Sequence, residues 1–209
     1  NVNPLYFDNS VYDFYSALFT VDVGRTLSKA IVSNAEMLLD AIDRLACTSW
    51  FSVPSLLMFL QTMKALRPGN MKSIKRIIFG GEGYPKSKLK QLYDTYADRI
   101  DFFNVYGPTE CTCICSSYRV NEGDFAGLQG FLPLGRLIPN FSYLILDDAS
   151  EKVCDNEIGE LCLLGPNVGL GYYNDPTRTQ ASFMQNPYNP HYPEPMYQTG
   201  DLVRYNSDD

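Results

Sequence analysis

Residues 74–106 read IKRIIFGGEGYPKSKLKQLYDTYADRIDFFNVY. The apolar run at 74–79 has strand character and stops at Gly80-Gly81-Glu82-Gly83. Pro85 then opens a helix over 85–96, because a proline costs least in a first turn, where its missing N–H has no partner to lose. A second strand follows over 101–105 and ends in the turn Tyr106-Gly107-Pro108-Thr109-Glu110. Strand, helix of about a dozen residues and strand again define a parallel unit. Ligands of such sheets sit beyond the carboxyl ends of the strands. Both turns lie on that edge, so both can face one cleft.

The same alternation extends upstream. Residues 49–53 read as a buried strand, and Pro54 starts a helix over 55–66 that ends near Arg67-Pro68-Gly69. Residues 33–45 form an amphipathic helix with Met37, Leu38, Ala41, Ile42 and Leu45 on one stripe, and Ser33 with Glu36 has the form of a capping box. The short apolar run Leu5-Tyr6-Phe7 precedes a capping cluster, Asp8-Asn9-Ser10, and helical spacing over 11–19. Downstream, the character changes near Asn121-Glu122-Gly123-Asp124. Short strands at 141–146, 159–164 and 196–204 are separated by turn residues. Asp175 caps a short helix that begins at Pro176 and runs to Ser182. Residues 186–195 hold four prolines and read as an irregular loop. The expected fold is therefore α/β: a mostly parallel sheet flanked by helices over 1–122, then a smaller antiparallel, barrel-like β subdomain over 123–209.

Composition narrows the partners. With 17 Lys plus Arg against 24 Asp plus Glu, the net charge of −7 argues against nucleic acid, whose phosphates attract a basic face. A nucleotide is still allowed, because a few backbone N–H groups and one metal ion can hold its phosphates. No stretch approaches the ~20 apolar residues of a membrane span. The start at Asn1-Val2-Asn3-Pro4 lacks a signal layout and an initiator Met, and the chain stops at Asn206-Ser207-Asp208-Asp209; it reads as a fragment of a longer, cytoplasmic protein. The six cysteines lack the density of a secreted scaffold. Cys111, Cys113 and Cys115 do not have zinc-site spacing, and alternation along a strand would put them on one face as small apolar residues.

Chemistry concentrates in a few strings. In Tyr106 to Glu110 a hydroxyl and a carboxylate stand side by side at a strand end, suited to a phosphate and its Mg²⁺, while Tyr106 offers a flat face to a base. An ordinary turn starting a helix fits the same five residues. Asp201, in Tyr197-Gln198-Thr199-Gly200-Asp201-Leu202, can accept two hydrogen bonds from a ribose diol, or can simply end a hairpin. Gly169-Leu170-Gly171 lacks the strand–loop–helix context of a dinucleotide fingerprint, and no P-loop string occurs.

Taken together and in order, these strings resemble the adenylate-forming (AMP-binding) superfamily in its amino-acid-activating branch. Residues 104–110, NVYGPTE, are similar to its Asn-x-Tyr-Gly-Pro-Thr-Glu signature. Phe7-Asp8-Asn9-Ser10 is similar to its Phe-Asp-x-Ser motif. Residues 159–183, GELCLLGPNVGLGYYNDPTRTQASF, are similar to its Gly-Glu-Leu to Gly-Tyr-x-Asn-x-Pro-x-x-Thr segment, and residues 197–202 to Tyr-x-Thr-Gly-Asp-Leu. Nonribosomal peptide synthetase adenylation domains and D-alanine–carrier protein ligases are the groups implied.

The resemblance implies ATP and Mg²⁺ as cofactors, an amino acid as substrate and a carrier protein bearing phosphopantetheine as partner. It implies that Tyr106 stacks on adenine, with Gly81, Glu82, Asn104 and Gly107 around the nucleotide and Asp201 on the ribose. Thr109 and Glu110 would meet the phosphates, Glu110 as metal ligand. Asp8 would pair with the substrate ammonium. Asn9, Tyr12, Ser55, Ile78, Gly80, Val105, Cys113 and Ile114 would line a pocket for a small or modestly polar side chain. D-alanine ligases tend to place Cys where Gly80 stands, a departure that argues against D-alanine itself. The phosphate loop and the catalytic lysine are expected before residue 1 and after residue 209, so the isolated fragment is expected not to turn over. An acyl- or aryl-CoA synthetase, which would not need Asp8, and a non-catalytic interaction module on the same fold are the alternatives.

Overall fold

The computed structural model describes residues 2–20, 24 and 26–205; the final four residues, where the sequence reading sees the fragment stop, lie outside them. The chain folds as two compact units. The first comprises Asn1–Tyr106 and Ser116–Arg136, the second Gly107–Cys115 and Leu137–Asp209.

In the first unit, α1 (Asn9–Phe19), α2 (Lys29–Val32) and α3 (Ala35–Arg44) lead into β1 (Ser49–Ser52), α4 (Pro54–Thr62), β2 (Arg76–Gly80), α5 (Lys86–Tyr96) and β3 (Asp101–Tyr106), followed by β4 (Ser116–Arg119) and β5 (Arg136–Leu137). The strand order is β1-β2-β3-β4-β5. β1, β2 and β3 are parallel, in the register Ser52↔Phe79 and Gly80↔Val105, because a helix carries the chain back between them. β4 runs antiparallel to β3. The intervening Gly107–Cys115 is shorter than the dozen or so residues that a parallel crossover needs. The core under this sheet is built on Leu38, Leu39, Leu57, Ile77, Phe79, Leu89, Tyr96 and Phe102, all essentially solvent-free.

Several local expectations change. Residues 5–7 are an exposed turn closed by Phe7 N–H donating to Pro4 O. Asp8 occupies the position before α1 but is already helical in φ and ψ, so its side chain makes no cap bond. α3 is capped by Asn34, which accepts from Met37 N–H; Ser33 instead donates to Lys29 O at the end of α2. A preceding short helix thus takes up the serine, and Met37 lies outside the buried stripe. α4 stops at Thr62, because Lys64 turns left-handed.

In the second unit, β6 (Ser142–Leu146), β7 (Gly159–Leu164), β8 (Phe183–Gln185) and β9 (Pro195–Val203) form an antiparallel sheet of order β6-β7-β9-β8, with α6 (Pro176–Ser182) before β8. Asp175 caps α6 by accepting from Arg178 N–H, and Pro176 occupies its first turn. Leu146, Cys162, Leu164 and Met196 form its buried cluster. The 186–195 loop is irregular yet tied: Asn186 and Asn189 both donate to the Glu194 carboxylate, and Gln185 bonds three carbonyls. Cys111, Cys113 and Cys115 do not lie on a strand. Cys111 ends a 3-10 turn and Cys113 is left-handed, yet all three side chains are buried.

Candidate functional site

The first unit carries most of the residues assigned to the amino acid and to adenine; Cys113 and Ile114 of the expected pocket belong to the second. Asn9 is buried at the start of α1, and the Asp8 carboxylate beside it is half exposed. A β-carbon built on Gly81 would lie 3.9 Å from Asn9 Nδ2 and 3.6 Å from Val53, so the start of α1, the end of β1 and the carboxyl end of β2 adjoin. Gly81 has φ +83°, a left-handed conformation that glycine adopts without strain. Tyr12 turns its ring edge to Phe51 at 4.8 Å and its hydroxyl to Ser49. Ile78 and Val105 are buried.

Gly80 has no space for a side chain: a β-carbon there would lie 2.2 Å from Val105 O. Glu82 reaches back to α4, where Oε2 accepts from Ser55 N–H at 3.1 Å and Oε1 from the Ser55 hydroxyl at 3.2 Å. It acts as a cap supplied from the next loop, satisfying a helix N–H that Val53 cannot reach by side chain. Asn104 donates to Pro133 O at 2.8 Å and so ties the β3 edge to the 131–135 segment. Tyr106 closes β3, half-buried.

The second unit carries the residues assigned to phosphate, metal and ribose. Gly107 is packed so tightly that a β-carbon would meet Cys113 O at 1.7 Å. Thr109–Cys111 forms a single 3-10 turn, and Thr112 and Cys113 then reverse the chain with φ +64° and +75°. Thr109 is exposed and Ile114 half-buried.

At Glu110, Oε1 accepts the Tyr172 hydroxyl at 2.6 Å, and the main-chain carbonyl accepts from Gly169 N–H at 2.7 Å. Burial by itself would raise the Glu110 pKa. Hydrogen bonds from Tyr172, from its own backbone N–H and from Tyr197, together with the Arg178 charge, outweigh that and hold it below the ordinary carboxylate value. Burial, with the Tyr172 hydroxyl and the Glu110 charge, pushes the Tyr197 phenol well up. The Tyr197 phenol thus remains a donor.

The Gly169–Thr179 segment builds this arrangement. Tyr172 N–H donates to Thr179 Oγ1 at 2.8 Å, Arg178 Cζ stands 3.9 Å over the Tyr172 ring, and Phe183 meets that ring edge-on at 5.5 Å. In the sequence, Tyr172 lies in a glycine-rich, family-like segment and Tyr197 in the Tyr-x-Thr-Gly-Asp-Leu string, and neither tyrosine is given a role of its own. Both stand within strings already singled out, yet nothing in either string points at residue 110.

Asp201 sits on a bulge of β9. Between the pairs Glu160↔Leu202 and Cys162↔Gln198, one residue of β7, Leu161, faces three of β9, Thr199, Gly200 and Asp201. Glu160 Oε1 accepts from Gly200 N–H, and the Thr199 hydroxyl donates to Leu161 O while accepting from Asp201 N–H. The bulge leaves the Asp201 side chain exposed.

Residues 1–173 match the family model described as AMP-binding enzyme. The chain belongs to that family. It is 31% identical over 203 residues to the L-proline–L-prolyl-carrier protein ligase of Streptomyces coelicolor, covering 97% of this chain and 36% of that protein. It is 30% identical over 199 residues to bacitracin synthase 1 of Bacillus licheniformis, covering 95% of this chain and 4% of that protein. A solved NRPS protein containing adenylation and PCP domains superposes with a TM-score of 0.82 at 25% identity, over 99% of this chain and 40% of that one. Among the described residues no helix is long and apolar enough to cross a membrane.

Proposed function

We propose that the polypeptide to which this chain belongs activates an amino acid with ATP. The substrate carboxylate attacks the α-phosphorus, pyrophosphate leaves and an aminoacyl adenylate remains. The phosphopantetheine thiol of a carrier protein then attacks the acyl carbon, and AMP leaves. The observation that carries this reading is the Glu110 carboxylate, aimed by Tyr172 and kept ionised at the end of a turn that also presents the Thr109 hydroxyl.

Among the described residues no group of three His, Cys, Asp or Glu side chains is arranged to hold a metal. A lone carboxylate still fits Mg²⁺, which is usually held by one or two carboxylates with substrate phosphates and water as the remaining ligands. Bound there, Mg²⁺ would draw charge from the phosphate oxygens as pyrophosphate departs. Thr109 would donate to the same phosphates, Tyr106 would stack on adenine, and Gly81, Glu82 and Gly107 would approach the nucleotide through their backbone. Glu82 and Asn104 serve by holding the α4 start and the 131–135 segment. Asp201, presented by its bulge, would take the ribose hydroxyls.

Asp8 supports the choice of an amino acid. A half-exposed carboxylate with no cap bond of its own is open to a substrate ammonium, and such a charge-assisted bond contributes about 1.5–3 kcal/mol. Asn9, Tyr12, Ser55, Val105 and Cys113 would shape the rest of the pocket, with Gly80 unable to carry a side chain into it.

Pyrophosphate exchange with a panel of amino, fatty and aryl acids on the full-length protein tests the reading. Exchange is expected with one or a few amino acids, and Asp8→Asn should lower kcat/KM by roughly 10–100-fold. Exchange with fatty or aryl acids alone would overturn it in favour of a CoA synthetase.

A further inference from the structure

The Asp201 carboxylate stands on a stretch with little packing around it. A β-carbon built on Gly200 would meet nothing within 4 Å, Gly200 has φ +76°, and Asp201 and Leu202 are both exposed. The facing strand is the opposite. Leu161 and Cys162 are buried, and a β-carbon on Gly159 would meet Leu146 O at 2.7 Å and the Ile145 and Val153 side chains at 2.8 Å. Glu160 lies between these fixed residues and reaches across to the loose ones. Its Oε1 accepts from Gly200 N–H at 2.8 Å, and its Oε2 accepts from Gln198 Nε2 at 3.4 Å. One carboxylate thus holds both the residue before the bulge and the residue at its tip. The Thr199 hydroxyl completes the frame, donating to Leu161 O at 2.8 Å and accepting from Asp201 N–H at 3.1 Å. A bulge leaves ladder groups without strand partners, and here side chains take them up.

We propose that Glu160 is a positioning residue for the ribose: by bonding Gly200 N–H it fixes the Thr199–Asp201 bulge, and so sets how strongly the site prefers a ribonucleotide to its deoxy counterparts. The inference rests on the reading of Asp201 as the acceptor for the ribose hydroxyls. A carboxylate that takes two vicinal hydroxyls must be held closely in distance and direction, and an exposed side chain on an unpacked tip is held only as well as its backbone. Glu160 ties that backbone to the rigid strand. The bond it strengthens exists only when the ligand carries the hydroxyls, because a site built to hydrogen-bond an OH discriminates against the analogue that lacks it. Loss of Glu160 therefore acts on the ribonucleotide and spares the dideoxy form.

Calorimetric titration of the full-length protein with ATP and with 2′,3′-dideoxy-ATP tests the proposal. For Glu160→Ala the ATP affinity is expected to fall about tenfold with the dideoxy affinity unchanged, so the ratio of the two falls by the same factor. Glu160→Gln, whose amide oxygen still accepts from Gly200 N–H, should recover most of the ratio. Equal weakening of both ligands by Glu160→Ala would mark a merely structural role and overturn the proposal. Asp201→Ala separates the two layers. If it collapses the ratio while Glu160→Ala keeps the wild-type value, the role of Glu160 is overturned and that of Asp201 stands. If Asp201→Ala itself keeps the ratio, the reading of Asp201 falls and the proposal with it. Should Glu160→Ala not fold, Glu160→Asp serves in its place, since it keeps the charge but is one methylene too short for Gly200 N–H: the ratio should fall in the same direction, and an unchanged ratio overturns the proposal.

Discussion

Gly107 shows how a single residue can be fixed by backbone alone. The atom nearest its absent β-carbon is Cys113 O at 1.7 Å, followed by Cys113 C and Cys115 N, so no rotamer change elsewhere relieves a substitution. Gly107→Ala should therefore cost about 3 kcal/mol or more, read as a large fall in melting temperature, whereas Gly69→Ala, with open space around it, should be nearly silent. The sequence marked Gly107 as the pivot of a strand-end turn. It could not indicate that the obstacle is a carbonyl six residues on, because that approach depends on Thr112 and Cys113 both being left-handed, a conformation neither residue favours. The three cysteines teach the same lesson. Their burial followed from their type, but the strand proposed to explain it gave way to a reversal.

At the scale of elements, α4 illustrates capping across the fold. Val53 offers no side-chain acceptor and Pro54 no N–H, so the first free donor is Ser55, and its partner is Glu82 from the loop after β2. A carboxylate is well suited to a helix N-terminus, where the dipole is positive. Glu82→Ala should destabilise the chain by about 1 kcal/mol in denaturant titrations, with Glu82→Gln retaining part of the loss because its amide oxygen still accepts. An equal loss in both would point to charge rather than to the hydrogen bond. The helices and strands were legible from periodicity, from Pro54 and Pro85 in the first unit, and from Asp175 and Pro176 in the second. Their caps were legible only where the partner is local. Ser33 was read as a cap and is not one, since a four-residue helix ends on it, and Glu82 was not read as one because its helix lies 27 residues upstream.

For the whole molecule, two carboxylates give opposite pH signatures, one in each unit. Asp13 is partly buried, and its desolvation raises its pKa above the ordinary 3.8 despite the hydrogen bond from Asn3. The folded state thus binds this proton more tightly than the unfolded one, and its contribution to stability is lost as pH rises through the raised value. Glu110 has a lowered pKa, so its contribution is present above the ordinary 4.5 and is lost as pH falls through the depressed value. Because Glu110 is only partly buried, screening keeps that second effect small. Asp13→Asn should raise the melting temperature at pH 7 by about 2 °C and flatten the fall on leaving acid pH, while Glu110→Gln should flatten the acid limb. A melting curve whose pH dependence is unchanged by either variant would contradict these assignments.

The sequence by itself determined the layer architecture and the family, because both rest on local patterns: the 2.0 and 3.6 periodicities, the prolines that open helices, and four strings in a fixed order. It also determined where the chemistry-bearing side chains stand along the chain. Tertiary structure alone decided that Gly107–Cys115 joins the second compact unit and that β4 turns back against β3. It likewise decided that Tyr172, sixty-two positions from Glu110, supplies the hydrogen bond that aims its carboxylate. Such pairings depend on which surfaces pack together after the strands have formed, and no local pattern encodes them.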